Sequence, residues 1–160
     1  MAVENLTATG AGVNDPRPTY GEGGNVKCFS RTVEITAAAS DTSTYTLGYL
    51  PSNAKILGES TYSIDDCDTG STATLDFGIF AVDANVTSDV DALNDGIVLG
   101  TAATKQPLIK NIANYGKAAY LHVNGQTTDP GGFLQLKGTI DDADVSAGGT
   151  LTVEVFYVLP

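Results

Sequence analysis

The feature that most constrains this chain is a period-two alternation of apolar and polar residues, which recurs from residue 31 onward. The segment "TATLDFGIFAV" puts Leu75, Phe77 and Ile79 on one side and Thr74 and Asp76 on the other. The closing segment "TLTVEVFYVL" has the same alternation. Successive side chains of a strand point to opposite faces, so this pattern, rich in Thr, Val, Ile and aromatic residues, predicts half-buried strands.

Turn signals separate the alternating segments at regular intervals, from Pro51-Ser52-Asn53 to Asp129-Pro130-Gly131-Gly132. This arrangement predicts an all-β fold, a β-sandwich or jelly-roll-like domain of about eight strands, over residues 29–160. One segment, 87–96, has a capping Thr or Ser, early acids and a final Gly, and predicts one or two turns of helix. The segment "AAYLHVNG", 118–125, is predicted to be a strand.

Residues 1–28 differ from the rest of the chain, because they are rich in Gly, Pro, Asn and Thr and show no apolar periodicity. Such a segment cannot bury enough apolar surface to offset its own ordering. Two interpretations stay open: a flexible terminus, or an extended N-terminal arm that orders on a neighbouring molecule. Arg17 and Tyr20 favour the arm, because Arg and Tyr are common interface anchors.

The charge balance limits the classes of partner. The chain of 160 residues has a formal net charge of -11 and an isoelectric point of about 4.1. This excess of acid argues against nucleic acid and against an anionic membrane surface. Between Lys55 and Lys105 there is no other basic residue, so one rim of the fold is expected to be negative. No signal peptide is recognised, and synthesis without export is expected.

No arrangement of residues predicts an enzyme or a cofactor. His122 is the only histidine, and no Gly-x-Ser-x-Gly elbow surrounds any serine, so His122 is expected to be structural or on the surface. Catalytic residues are therefore not assigned, although a spatially assembled acidic site of a hydrolase stays a minor alternative. The two cysteines, Cys28 and Cys67, are expected to be free thiols.

Acidic loops are the weak candidates for a metal site. Asp83, Asn85, Asp89 and Asp91 offer the oxygen ligands that Ca²⁺ prefers, but they do not keep the spacing of an EF-hand loop. Solvated acidic loops are the simpler interpretation, and no metal is assigned.

Lys55 follows the Pro51 turn in a chain with few basic residues. It has two interpretations. A lysine on an edge strand can prevent unwanted pairing with other strands. Alternatively, Lys55 contacts a partner at the rim of the fold.

The order of several segments resembles the head decoration (cement) and minor capsid proteins of tailed bacteriophages. The similar features are "LPSNAKIL", "TLDFGIF" and an acidic "DVDALNDG", within residues 31–100. This resemblance implies a non-enzymatic β protein on the outer surface of an assembled capsid. It implies the major capsid protein as partner, a homo-oligomer with a trimer favoured, and a place on the virion after synthesis in the host cytoplasm.

The contact residues predicted on this basis are Arg17, Tyr20, Lys27 and Lys55. The alternative function is a β-sandwich module that binds carbohydrate or a cell surface, with Ca²⁺ in the acidic loops. Binding only to the assembled shell would stabilise that shell by mass action.

Overall fold

The computed structural model describes residues 3–8, 25–70, 72–82 and 88–160. Its regular elements are mostly strands, as the alternation predicts. The strands are β1 Asn5–Thr7, β2 Val26–Ile35, β3 Thr44–Pro51, β4 Lys55–Ile56, β5 Thr61–Ile64, β6 Thr74–Ala81, β7 Asp89–Val98, β8 Ala103–Pro107, β9 Phe133–Asp141 and β10 Gly149–Val158. Two short 3-10 helices, Ile112–Asn114 and Ala119–His122, lie between β8 and β9.

The strands form two sheets that pack face to face. The first sheet has the order β1-β3-β9-β6-β7, and the second has the order β2-β10-β5-β8, with β4 pairing β10 as well. All of these pairs are antiparallel except β1 with β3. The prediction of an all-β sandwich is confirmed, with ten strands among the described residues instead of about eight.

The core lies between the two sheets and is filled by the predicted inward residues. Leu75, Phe77 and Ile79 of β6 are buried, and so are alternate residues of β10 such as Val153. The Tyr62 ring of the second sheet packs on the Phe77 ring of the first, with ring centroids 5.3 Å apart. Alternation therefore determines which face of each sheet turns inward.

A bulge in β3 changes the faces that simple alternation predicts. The register with β9 shifts between Thr46 and Gly48, so Tyr45 and Leu50 are buried whereas Tyr49 lies on the outer side. A bulge inserts one residue and reverses the order of faces beyond it. Gly48 fits this site because a Cβ there would lie 2.8 Å from the Phe29 ring.

The predicted helix at 87–96 is wrong, because its described part belongs to β7. β7 pairs β6 with two register shifts, and Gly96 has a φ of 71° where its amide donates to Asp76 Oδ1 at 2.8 Å. The backbone of β7 passes so close to Gly78 that a Cβ there would overlap two β7 carbonyl oxygens. Pairing with β6 thus outweighs the local capping pattern of the segment.

The predicted strand at 118–125 is also wrong, because residues 119–122 form a 3-10 helix. Ala118 and Ala119 are both buried, and so are His122 and Val123, which a strand with one inward face does not allow. The backbone amides of 119 and 120 donate to the carbonyls of residues 54 and 52, next to the Pro51 turn. This segment therefore fastens that turn instead of extending a sheet.

The predicted arm, residues 1–28, includes parts that join the sheets. β1 pairs β3, Ala8 is buried, and β2 begins at Val26. Residues 9–24 lie outside the described part of the chain. The division into an arm and a domain at residue 28 stays a prediction.

Candidate interaction surface

Two of the four predicted contact residues lie in the described structure. Lys55 is exposed in β4, and Lys27 is half-buried in β2. These strands both pair β10, at Val158 for Lys55 and at Tyr157 for Lys27, so the structure brings the two lysines to one end of the second sheet. Arg17 and Tyr20 lie outside the described residues.

Lys55 does not lie on an open edge. Its strand pairs β10 on one side, and on the other side Lys55 forms a bridge with Ala118. The amide of Gly116 also donates to the Ile56 carbonyl at 2.9 Å. The backbone on both sides of β4 is therefore occupied, and Lys55 has no unpaired edge to protect.

A groove opens where the edge strands of the two sheets face each other, and we call it the β7–β8 groove. Its volume is about 630 Å³. β7 contributes residues 94–98, β8 contributes residues 103, 104, 106 and 107, and the other lining residues are Tyr62, Thr101, Ala102, Ile109, Lys110 and Tyr115. The volume lies within the range of ordinary ligand sites, about 300–1,000 Å³.

Apolar side chains are exposed in and beside this groove. Val98 is 46% exposed and Tyr115 is 39% exposed, and both line it, while Ile112 is 78% exposed in the neighbouring 3-10 helix. The Tyr115 ring packs on Gly58, where a Cβ would lie 2.6 Å from the ring. Lys110 donates to the Asp95 carbonyl oxygen at 2.6 Å, which ties the groove wall to β7. A cluster of exposed apolar groups in a concave site is typical of a binding surface.

The opposite side of the sandwich carries a smaller groove between β1 and β2. It has a volume of about 310 Å³ and is lined by Leu6, Thr7, Thr32, Val33 and Glu34. β1 and β2 are edge strands of the two sheets, as β7 and β8 are on the far side. The sandwich therefore has two different sides, each with a groove.

The outer face of the first sheet holds a row of aromatic and polar side chains. Tyr49, Gln135 and Phe80 are register neighbours on β3, β9 and β6. Gln135 Nε2 donates to Tyr49 Oη at 2.9 Å, and Lys137 Nζ lies 4.9 Å from the centre of the Phe80 ring. All four side chains are half-buried, and burial lowers the pKa of Lys137. Sequence alternation missed the position of Tyr49 because of the β3 bulge.

The acidic residues are arranged for structure where they are described. Asp68 is buried and accepts hydrogen bonds from the amides of Gly70, Thr72 and Ala73 and from the Ser146 hydroxyl. These donors, with the Ala73 amide first, lower the pKa of Asp68. Asp68 therefore fastens the loop after β5 to the segment before β10, a role that spacing alone does not reveal.

The weak metal candidates do not form a described site. Asp89 and Asp91 lie at the start of β7, while Asp83 and Asn85 fall outside the described residues. Burial, and then the neighbouring Asp91, raises the pKa of Asp89. Within the described ranges, no group of three or more His, Cys, Asp or Glu side chains converges as a metal site would require.

His122 is buried, at 3% exposure, and its Nε2 atom has no hydrogen-bond partner among the described residues. Burial and the charge of Lys117 lower its pKa to about 4. A general base needs a proton to accept and a carboxylate or carbonyl to orient it. His122 is placed as a core residue, which agrees with the structural role expected for it.

None of the described helical segments is long and apolar enough to cross a membrane.

Two solved capsids contain chains with a similar fold. A chain in the capsid of Ralstonia phage GP4 matches with a TM-score of 0.68 and 22% identity, over 97% of this chain and 98% of that chain. A chain in the capsid asymmetric unit of cyanophage Pam1 matches with a TM-score of 0.57 and 26% identity, over 91% of this chain and 92% of that chain. No family model matches the sequence, and no curated protein matches it.

Both matches extend over nearly the full length of the two chains compared. The similarity therefore concerns the whole sandwich and not a single motif. The similarity to phage capsid structures supports a structural, capsid-associated protein.

Proposed function

We propose that this chain is a structural virion protein that binds the outer surface of an assembled phage capsid and stabilises it by bridging capsid subunits. The observation that carries the proposal is the full-length similarity to chains of two phage capsids. The exposed apolar groups and the two grooves at the sides of the sandwich are consistent with contacts to neighbours. The partner is the major capsid protein.

The proposed mechanism is linkage between binding and assembly. A protein that binds only the assembled shell, and not the free subunit, lowers the free energy of the shell by mass action. Many identical sites add their contributions, so modest affinity at each site is sufficient. Arg17, Tyr20, Lys27 and Lys55 are the proposed contacts, and a homo-oligomer, with a trimer favoured, is the proposed form on the capsid surface.

The test is co-sedimentation of the purified protein with empty capsid shells that lack it, with free capsid subunits as the control. We expect saturable binding to shells and none to free subunits. Bound protein should also raise the temperature at which the shells disrupt. Equal binding to shells and free subunits, or no binding to either, would contradict the proposal.

A variant of the protein tests the arm without damaging the sheets. Because β1 and the first residues of β2 belong to the body, only residues 9–24 are replaced, by a Gly/Ser linker of the same length. We expect this variant to fold normally, with an unchanged midpoint of urea unfolding, and to lose most of its binding to shells. Normal shell binding by this variant would show that residues 9–24 make no contact that shell binding requires.

The alternative function, a carbohydrate-binding module, is favoured by one observation. Tyr49 and Phe80 flank the Gln135 amide on an outer sheet face, and Lys137 lies beside them. Aromatic faces beside hydrogen-bonding groups suit a ligand that is apolar on one side and polar at its edges. A glycan array with and without chelator tests it: binding that Phe80→Ala abolishes would support this alternative, and a blank array would count against it.

A further inference from the structure

We propose that the β7–β8 groove binds residues 9–24 of a neighbouring copy of this chain, with Pro16–Tyr20 as the main occupant. The inference rests on the proposed function in one respect, because a capsid shell is what would hold copies side by side. It goes further by naming the receptor of the arm, a groove on the next copy, and the residues that form it.

The chemistry of the groove suits this occupant. The segment 16–20 reads Pro-Arg-Pro-Thr-Tyr. A proline fixes its own φ near the value of an extended polyproline chain, which lowers the entropy lost when such a peptide binds. Extended proline-containing peptides bind grooves lined by aromatic side chains, where little conformational entropy is lost. Tyr115 supplies such a side chain at 39% exposure, and Val98 adds an exposed apolar surface. Tyr62 lies deeper in the groove wall, at 7% exposure, and packs on the core.

One pair of charges is also complementary, in a segment that carries Asp15 and Glu22 besides Arg17. Arg17 is the only basic residue in 9–24, and Asp95 lines the groove as an exposed carboxylate. Lys110 also lines the groove and bonds to the Asp95 carbonyl, so the charge match is that of Arg17 with the Asp95 carboxylate and not of the whole segment. A guanidinium suits a carboxylate because it can donate two parallel hydrogen bonds.

The length of the segment indicates a neighbour as the acceptor. Residues 9–24 begin next to β1 and end next to β2, on the side opposite to the groove. Sixteen extended residues span at most about 55 Å, and β1 and β7 lie four strand spacings apart, about 19 Å. To reach the groove of its own copy, the segment would cross the sheet, follow about five residues of β7 and cross back. Two crossings and five extended residues together use about the whole of the 55 Å.

No length would then remain for turning around the edge of the sandwich. A second copy avoids the crossing if its β7–β8 side faces the β1–β2 side of the first. Such contacts are heterologous, and they close into a ring when the rotation between copies allows it. The same contact, repeated around a ring, would place each arm on the next copy.

The test is a titration of a fluorescent synthetic peptide of residues 9–24 onto the full-length protein, at concentrations where sedimentation shows a monomer. We expect saturable binding, which is absent for a scrambled peptide. Val98→Lys in the groove should weaken binding at least tenfold. Val90→Lys is the matched control, because Val90 lies on the same strand with similar exposure, 43% against 46%, but outside the groove lining.

A charge exchange provides a second variant. Asp95→Lys should weaken binding of the natural peptide, and a peptide with Arg17→Glu should recover part of that loss. Absence of saturable binding, equal binding of the scrambled peptide, or equal effects of Val98→Lys and Val90→Lys would overturn the inference. Circular dichroism of each variant verifies that the sandwich is retained.

The outcomes separate this inference from the proposed function. Shell binding without peptide binding would retain the capsid function and refute the groove as receptor. Peptide binding without shell binding would retain the groove and refute the capsid function. A disulfide between Tyr20→Cys on one copy and Thr104→Cys on another, formed on shells with Cys28→Ser in both, would confirm the exchange between copies, and its absence would contradict it.

Discussion

Burial of His122 predicts that the stability of this fold decreases as the pH falls below about 6.5. The imidazole is 3% exposed, and its Nε2 atom has no hydrogen-bond partner among the described residues. Removal from water, and then the nearby charge of Lys117, lowers its pKa from 6.5 to about 4. The folded state therefore holds the neutral ring over a pH range in which the unfolded chain binds a proton.

The sign and the size follow from this difference. Above pH 6.5 neither state is protonated and the full stability is present; as the pH falls toward 4, protonation of the unfolded chain removes stability. The difference between the two pKa values corresponds to about 3 kcal/mol at its limit, and to about 2 kcal/mol at pH 5. Changes of this size are a large part of the total stability of a small domain.

The assay compares urea unfolding of the wild-type protein with that of His122→Leu, by circular dichroism, at several values from pH 7.5 to pH 5. Carboxylates that titrate in this range are common to both proteins and cancel in the difference. We expect the wild type to lose about 2 kcal/mol relative to the variant between these pH values. Lys117→Gln should reduce the pH dependence only slightly, because burial is the main cause. Parallel pH profiles for wild type and His122→Leu would refute the reasoning.

Three further predictions concern the close contact of β6 with β7, the loop after β5 and the two thiols. Gly78→Ala should destabilise the fold by about 3 kcal/mol or more in urea unfolding, because its Cβ would overlap backbone, whereas Gly138→Ala would meet a movable side chain at 3.2 Å and should have a smaller effect. Asp68→Asn should lower the melting temperature at pH 7, because the wild-type carboxylate accepts hydrogen bonds from several backbone amides and has a lowered pKa. The difference in melting temperature between wild type and variant should decrease as the pH falls below the normal carboxyl range. Ellman's reagent should modify exposed Cys28 in the native protein, but buried Cys67, whose pKa burial raises to about 11, only after unfolding; equal rates for both thiols would contradict the described burial.

Alternation predicted the strands whose pairing is regular. β10 follows it over its length, because it lies in the interior of a sheet with one face on the core. In β6 the inward residues follow it too, but Asp76, predicted on the outer side, is also buried, where the Gly96 amide of β7 donates to its carboxylate. It was less successful where the register shifts. The bulge in β3 moves Tyr49 to the outer side, and no local pattern signals which residue is the extra one.

The two segments predicted with the wrong structure share one physical reason. Their backbone groups bond to partners that are distant in sequence: β7 to β6, and the 3-10 helix at 119–122 to the carbonyls around the Pro51 turn. Local capping and local propensity contribute less free energy than those long-range contacts. Such partners become visible only when the chain is folded.

The residues of the candidate groove were harder to predict from the sequence than the strands were. The β7–β8 groove takes Tyr62 from β5, Val98 from β7 and Tyr115 from a segment after β8, and none of these stands out in the sequence. The sequence did single out Arg17 and Tyr20, because an unusual composition surrounds them. Composition can thus indicate a segment that needs a partner, whereas the surface that receives it is assembled from strand edges. The two strands that flank residues 9–24, β1 and β2, lie on the side opposite to the groove, which is why the proposed contact is one between copies.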